Sequence, residues 1–319
     1  MNDTKNNHLS TKVENVKEKF MNILETGVFE KFENLPCFSN TSVDNIQDYT
    51  QYQDQTATHF TSAHSLNGRE SRRTLINHGL KNNGLKNNGL KTQNQEIRMP
   101  ADWNHPGGIQ CIGQYLFVPC EKNTQSIVLI YDLANSSYEP VKTIEFNHRA
   151  GCLGITDFKY DDNLYYLLII GDGTRYHIYT SEVPDDGDIS KVSFSAKGNF
   201  ILEKIPQLKD TKNDPGCQGL SLITDTKNNV FMIALYSNDS GLMYVDWGYL
   251  MNFKIEKDKI TPDIITITGK HLKNKSEVSS ILGMHFRWGA CIRITPDGRI
   301  VIPATGRNII SGSGLNTAY

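Results

Sequence analysis

The chain has 319 residues, 38% of them hydrophobic, with 33 basic against 35 acidic side chains and a net charge of -2. That apolar fraction is low for a chain packed throughout, so part of it is expected to lie outside any core. The lack of a sustained basic run excludes the electrostatic footprint of a nucleic-acid binder, and no stretch reaches the roughly 18 to 20 consecutive apolar residues of a membrane helix.

The start, Met1-Asn2-Asp3-Thr4, lacks the apolar segment of a secretory signal. The expected location is therefore cytoplasmic, or outside the cell by a route that uses no cleaved signal peptide. Val13, Val16, Phe20, Ile23, Leu24, Val28 and Phe32 then recur at the spacing of one helical face, which predicts an amphipathic helix, or a pair divided at Gly27. Its polar side mixes Glu and Lys, as suits a helix capping a domain better than one lying on a membrane. From Ser39 to Gln95 the chain is rich in Asn, Gln, Thr and Ser and ends in Gly79-Leu80-Lys81-Asn82-Asn83, repeated at Gly84 and begun again at Gly89. A five-residue period is too short for a packed unit and reads as an exposed, poorly ordered loop. Residues 1–98 are accordingly expected to form a helical and low-complexity extension, partly disordered and contributing little core, with the main domain at 99–319.

Beyond Met99 the character becomes β. The runs 127–131, 164–170, 230–235, 264–267 and 299–302 are short, branched or aromatic, and bounded by Gly, Asp, Asn or Pro. A glycine phrase opens successive units: His105-Pro106-Gly107-Gly108-Ile109-Gln110, Ala150-Gly151-Cys152-Leu153-Gly154-Ile155, Gly216-Cys217-Gln218-Gly219-Leu220 and Phe286-Arg287-Trp288-Gly289-Ala290-Cys291. The phrases stand roughly 45 to 70 residues apart, enough for a four-stranded propeller blade with variable loops. The fold class expected is all-β and β-propeller-like, five-bladed, the fifth blade built from the two ends of the ordered chain. A β-sandwich is the alternative, but a sandwich does not call for a similar glycine phrase at the start of each unit.

The segments His105-Pro106-Gly107-Gly108-Ile109-Gln110, Gln218-Gly219-Leu220, Val245-Asp246-Trp247 and Phe286-Arg287-Trp288-Gly289 resemble segments of a microbial β-propeller-like family of no firmly known activity. The resemblance covers about residues 100–319. Where such proteins open an earlier blade with a His and a Gln-Gly pair, this chain has His64 and Asn67-Gly68. More distantly the layout is similar to five-bladed propellers of some glycosidases and lectins, a likeness of fold that does not fix function.

In a propeller the first strand of each blade lines the axis, so polar residues beside the glycine phrases converge on one funnel. His105, Gln218, His285, Arg287 and Trp288 are the ligand-binding residues this predicts: imidazoles, an amide, a planar cation suited to a carboxylate or phosphate, and an indole for stacking. Gln110 is read instead as satisfying backbone groups at the strand start. Asp102, Asp157, Asp172 and Asp246 lie near strand ends, where a facing pair serves glycosidases as acid and nucleophile. Asp161-Asp162, Asp185-Asp186 and Asp225 read as turn residues. No CxxC pair occurs among the six cysteines, which read as buried thiols; no metal site is expected and the sequence names no cofactor. There is no P-loop, GxGxxG or GxSxG.

Two functions fit this pattern: a scaffold that binds a small polar ligand, a sugar or an anionic metabolite, in its funnel through Arg287, His105 and the platforms Trp103, Trp247 and Trp288; or a hydrolase or lyase using His and Asp groups there as acid and base. A protein-interaction scaffold is a third. The catalytic residues, if any, are not legible.

Overall fold

The computed structural model describes residues 8–24, 28–31, 44–53, 58–66, 73–78, 93–98, 103, 105–132, 134–135, 139–173, 175–202, 219–239, 244–256, 259–272, 286, 290–294, 298–305 and 314–318. The described chain is almost wholly β. It begins with one short helix, α1 (Val16–Met21), and strand β1 (Val28–Lys31).

Five antiparallel sheets follow in chain order. The first is built from β2 (Asp44–Gln53), β3 (Thr58–Leu66), β4 (Arg73–His78) and β5 (Gln93–Arg98). The second holds β6 (His105–Pro106), β7 (Gln110–Ile112), β8 (Tyr115–Lys122), β9 (Gln125–Asp132) and β10 (Pro140–Phe146), with β6 and β7 both on β8. The third is β11 (Cys152–Tyr160), β12 (Asn163–Asp172), β13 (Arg175–Glu182) and β14 (Ser195–Ile201). The fourth is β15 (Gly219–Thr224), β16 (Val230–Asp239), β17 (Tyr244–Glu256) and β18 (Lys259–Leu272). The last joins β19 (Arg293–Ile294), β20 (Ile300–Thr305) and β21 (Gly314–Ala318) to β1 from the other end of the chain, Val28 opposite Thr317 and Lys31 opposite Gly314.

Because successive side chains point to opposite faces and both faces are buried, the centres of the middle strands are apolar at successive residues. Along β12, Leu167 and Ile169 enter one core, while Tyr166, Leu168 and Ile170 enter another on the opposite face. Met232 and Ala234 of β16 share the first of these cores with β12, and Ile233 and Leu235 face a third. Phe117, Val128 and Ile130 face the β12 side, whereas Leu116, Val118 and Leu129 face away into a fourth. Each of these sheets is thus sandwiched between neighbours, which is blade-on-blade packing and not the one-sided burial of a two-layer sandwich. The inner strands touch in sequence around an axis, β2 against β7, β7 against β11 and β11 against β15, and β2 also meets β20, the second strand of the last sheet. Ile292, just before β19, donates its amide to Ser221 Oγ of β15 at 3.3 Å. The ring closes, and the fold is propeller-like.

The glycine phrases are where the inner strands come closest. A Cβ on Gly107 would lie 2.4 Å from the Gly151 carbonyl oxygen, and one on Gly219 would lie 2.2 Å from that of Ala290. No side chain fits either gap. Through it Gly108 donates its amide to Gly151 O at 3.0 Å, and Leu153 donates to Gly108 O at 3.1 Å.

The described N-terminal residues contribute more core and less helix than expected. Among the described residues, the helical periodicity expected from Val13 to Phe32 yields the six residues of α1, flanked by Asn15 in the left-handed region (φ 51°) and by Asn22. Val13 instead bridges to Asp225 and Val28 lies in a strand. Val13, Val16, Phe20 and Ile23 are buried with Ile223, Ile233, Leu250 and Phe286, so the apolar spacing was a true signal of burial but a poor one of helix length. Leu24, expected on the same face, is 60% exposed. The polar stretch after Ser39 carries β2 to β5, whose Thr, Tyr and Gln residues suit strands that a search for apolar runs passes over. The Gly-Leu-Lys-Asn-Asn repeat lies outside the described residues. Among the described residues, no helix is long and apolar enough to cross a membrane.

Candidate functional site

The register defines two rims. At the upper rim the inner strands begin, the second strands end and the third begin: Cys152 stands opposite Gly171, and Asp172 opposite Arg175. At the lower rim lie the turns after the inner strands, including Asp161-Asp162 (φ 47° and 63°) and Asp225 to Asn229. Asp225 Oδ1 accepts the amides of Lys227 and Asn229, as its reading as a turn residue requires.

Of the predicted ligand-binding residues, Gln218, His285, Arg287 and Trp288 lie outside the described residues, and His105 is described by its backbone, opposite Glu121 in the pairing of β6 with β8. Their neighbours are described. Phe286 donates its amide to Asp246 Oδ1 at 3.0 Å, and the same oxygen accepts Ser237 Oγ–H at 2.5 Å, which fixes the start of the last glycine phrase at the upper rim. Gln110 spans three inner strands: its Oε1 accepts the amides of Ile155 (3.0 Å) and Leu222 (2.9 Å), and its Nε2 donates to the Leu222 carbonyl at 2.9 Å. This is the backbone-satisfying role read from the sequence. Thr156 and Thr224 hydroxyls meet at 2.9 Å on the neighbouring pair. Side chains therefore bridge neighbouring inner strands at these levels.

The upper rim gathers a set of groups that the glycine phrases did not single out. Arg149, just before β11, donates from Nη2 to Glu121 Oε2 at 3.1 Å, and the hydrogen bond to this carboxylate holds the guanidinium above its ordinary range. His148 stacks on His177 with ring centroids 3.7 Å apart and planes within 5°. His148 Nδ1–H donates to the Arg149 carbonyl at 2.8 Å, which leaves Nε2 to accept the Tyr179 hydroxyl at 2.6 Å. His177 Nε2 is buried without a hydrogen-bond partner among the described residues. Burial, and then the nearby His148, push the His177 imidazole down to about 4, so it is neutral near pH 7. One ligand-type atom from each of His148, Asp172 and His177 lies within 4.8 Å of the others. His148 sits between units and His177 at the start of a third strand, so neither adjoins a glycine in sequence. Only the convergence of the ends of β9, β10, β12 and β13 brings them together.

Asp102 lies outside the described residues, and the other described candidates serve structure. Asp157, 1% exposed, accepts the Ser10 amide and hydroxyl, both at 2.6 Å, and the Lys12 ammonium at 2.5 Å. That engagement removes it from a catalytic pair. Asp186 and Asp188 pair with Lys191, and Asp188 accepts the Ser190 amide at 3.0 Å. Trp103 packs on the core of β8 and β9, and Trp247 on that of β12 and β16. Cys120, Cys152 and Cys291 are buried thiols and Cys111 is half-buried, as expected; Cys37 and Cys217 lie outside the described residues. A cleft of about 870 Å³ opens at the lower rim between the third and fourth sheets, lined by Tyr160, Tyr165, Glu182, Lys191, Lys197 and Lys259 among others. It is at the far end from the histidine pair.

No family model matches the sequence, and no curated protein does. Solved structures similar to the chain include parainfluenza virus 5 hemagglutinin-neuraminidase with the ligand DANA, at 8% identity and a TM-score of 0.43 over 98% of this chain and 84% of that one. The same viral protein at pH 8.0 gives 9% identity and 0.42 over 96% and 83%, and its ectodomain 8% and 0.40 over 98% and 75%.

Proposed function

We propose that this protein is a five-bladed recognition propeller that binds a small polar ligand, a sugar or an anionic metabolite, at its upper rim. The observation that carries the reading is the gathering of Glu121, Arg149, His148, Asp172 and His177 at the end of the ring where the inner strands start. His105, Gln218, His285, Arg287 and Trp288 stand beside those starts in sequence and complete the site. Fixed cations, amides and imidazoles at one mouth suit carboxylates and hydroxyls, and an indole beside an arginine suits a sugar ring.

Calorimetric titration against a panel of neutral sugars, uronic acids and dicarboxylates tests this. Arg287→Ala is expected to weaken the ligand found by about 1.5 to 3 kcal/mol, the range of a hydrogen bond to a charged group, with the lower-rim variant Lys259→Gln unchanged. Loss in Lys259→Gln alone would move the site to the lower cleft. The neutral His177 near Asp172 favours a second reading, a hydrolase or lyase that uses His and Asp groups for proton transfer at the same mouth. Turnover of the bound ligand, abolished in His177→Gln, would select it.

A further inference from the structure

We propose that His148, Asp172 and His177 form a three-ligand site for a zinc-class divalent cation. The donor set, two imidazoles and a carboxylate within 4.8 Å of one another, matches zinc and its first-row neighbours rather than calcium or magnesium, which take oxygen ligands.

Two independent details support it. The buried Nε2 of His177 has no hydrogen-bond partner among the described residues, and a buried polar atom left in that state is costly unless something occupies it. His148 donates Nδ1–H to the Arg149 carbonyl, the outer contact that fixes the tautomer of a metal-binding imidazole and leaves Nε2 as the ligand atom. Ser126 Oγ–H holds the His148 carbonyl at 2.7 Å, so the residue's backbone is fixed before any ion arrives.

The geometry also says what must move. In a parallel stack at 3.7 Å the two nitrogen lone pairs run side by side instead of converging, so capture of an ion turns one ring out of the stack. The Tyr179 hydroxyl, which occupies His148 Nε2 at 2.6 Å, gives that position up. Three protein ligands leave a coordination position open to water or to an anionic ligand. The proposal does not depend on the ligand class assigned to the rim above.

The test uses the full chain without an affinity tag, stripped with chelator and titrated with zinc alone against a competing chromophoric chelator. Expected is one tight equivalent, weakened at least tenfold in His177→Asn and in Asp172→Asn, and unchanged or tightened in Tyr179→Phe, which removes the competing hydroxyl but keeps the ring. X-ray absorption on the zinc-loaded wild type covers the case in which a variant misfolds. Two imidazole nitrogens at about 2.0 to 2.1 Å are expected there. Absence of a tight equivalent, full affinity in both folded ligand variants, or a spectrum without imidazole would each overturn the assignment.

Discussion

Gln110 and Leu222, on the inner strands of different sheets, exchange two hydrogen bonds: Leu222 N–H donates to the Gln110 Oε1 and Gln110 Nε2 donates to the Leu222 carbonyl, each at 2.9 Å. The same oxygen also takes the Ile155 amide, so one side chain ties together three inner strands from three sheets. Gln110→Met keeps the bulk and removes every one of these bonds. Because amides at the axis lose their partner in exchange for nothing, it should cost about 2 to 4 kcal/mol in urea unfolding. A loss below about half a kcal/mol would show that water replaces the amide and that the axis is open there.

The glycine contacts make a sharper contrast. Gly107→Ala and Gly219→Ala each drive a methyl against a carbonyl oxygen of the neighbouring unit, at 2.4 and 2.2 Å. Gly151→Ala places its methyl 3.7 Å from the nearest atom, a side-chain oxygen of Glu121. Backbone cannot give way cheaply, so the first two should lose about 2 to 4 kcal/mol and the third under about 1 kcal/mol. Equal losses in all three would mean that the phrases are kept for another reason.

These two cases also show what the sequence could reveal. Repeated Gly-rich starts, polar turns and apolar runs report close approach, reversal and two-sided burial, and all three are local, so the sheets from Gln110 onward were legible. Closure was legible only as an inference about the two ends, while β2 to β5 were missed because their residues alternate among Thr, Tyr, Gln and His without an apolar run. The predicted α1 was too long because Val13 and Val28 are buried or paired by other elements, a tertiary effect that imitates helical spacing. The rim cluster was illegible for a related reason: His148 and His177 become neighbours only through sheet register, and a histidine after a loop carries no pattern of its own.

Residues 8–24 should act as a strap across the lower rim. Val13 bridges to Asp225, Lys19 Nζ donates to the Gly298 carbonyl at 2.7 Å, and Ser10 and Lys12 close on the buried Asp157. Asp157→Ala removes the acceptor of two Ser10 bonds and one ammonium and should cost about 2 to 4 kcal/mol. Lys12 is a third exposed, so Lys12→Met should cost about 1 kcal/mol. Hydrogen exchange gives the local readout: the Thr226 amide, which donates to the Val13 carbonyl at 3.2 Å, should exchange faster in Asp157→Ala. Unchanged protection there would show that α1 alone holds the segment.

The metal-stripped protein should lose stability as the pH falls below about 6.5, and part of that loss belongs to His177. Its imidazole sits at about 4 in the fold, lowered first by burial, then by His148 and by Arg175, against the raising effect of Asp172. In the unfolded chain it titrates near 6.5. Between those values the unfolded state binds a proton that the folded state refuses, so stability is complete above about 6.5 and declines as pH falls toward about 4. The ring is only half-buried, and solvent screening reduces the full linkage to about 1 kcal/mol. His8, also lowered by burial, contributes with the same sign and remains in both proteins compared. Unfolding free energies measured with chelator at pH 7 and pH 4.5 should therefore differ by about 1 kcal/mol less in His177→Gln than in the wild type. Identical differences would show that the fold does not lower the His177 imidazole.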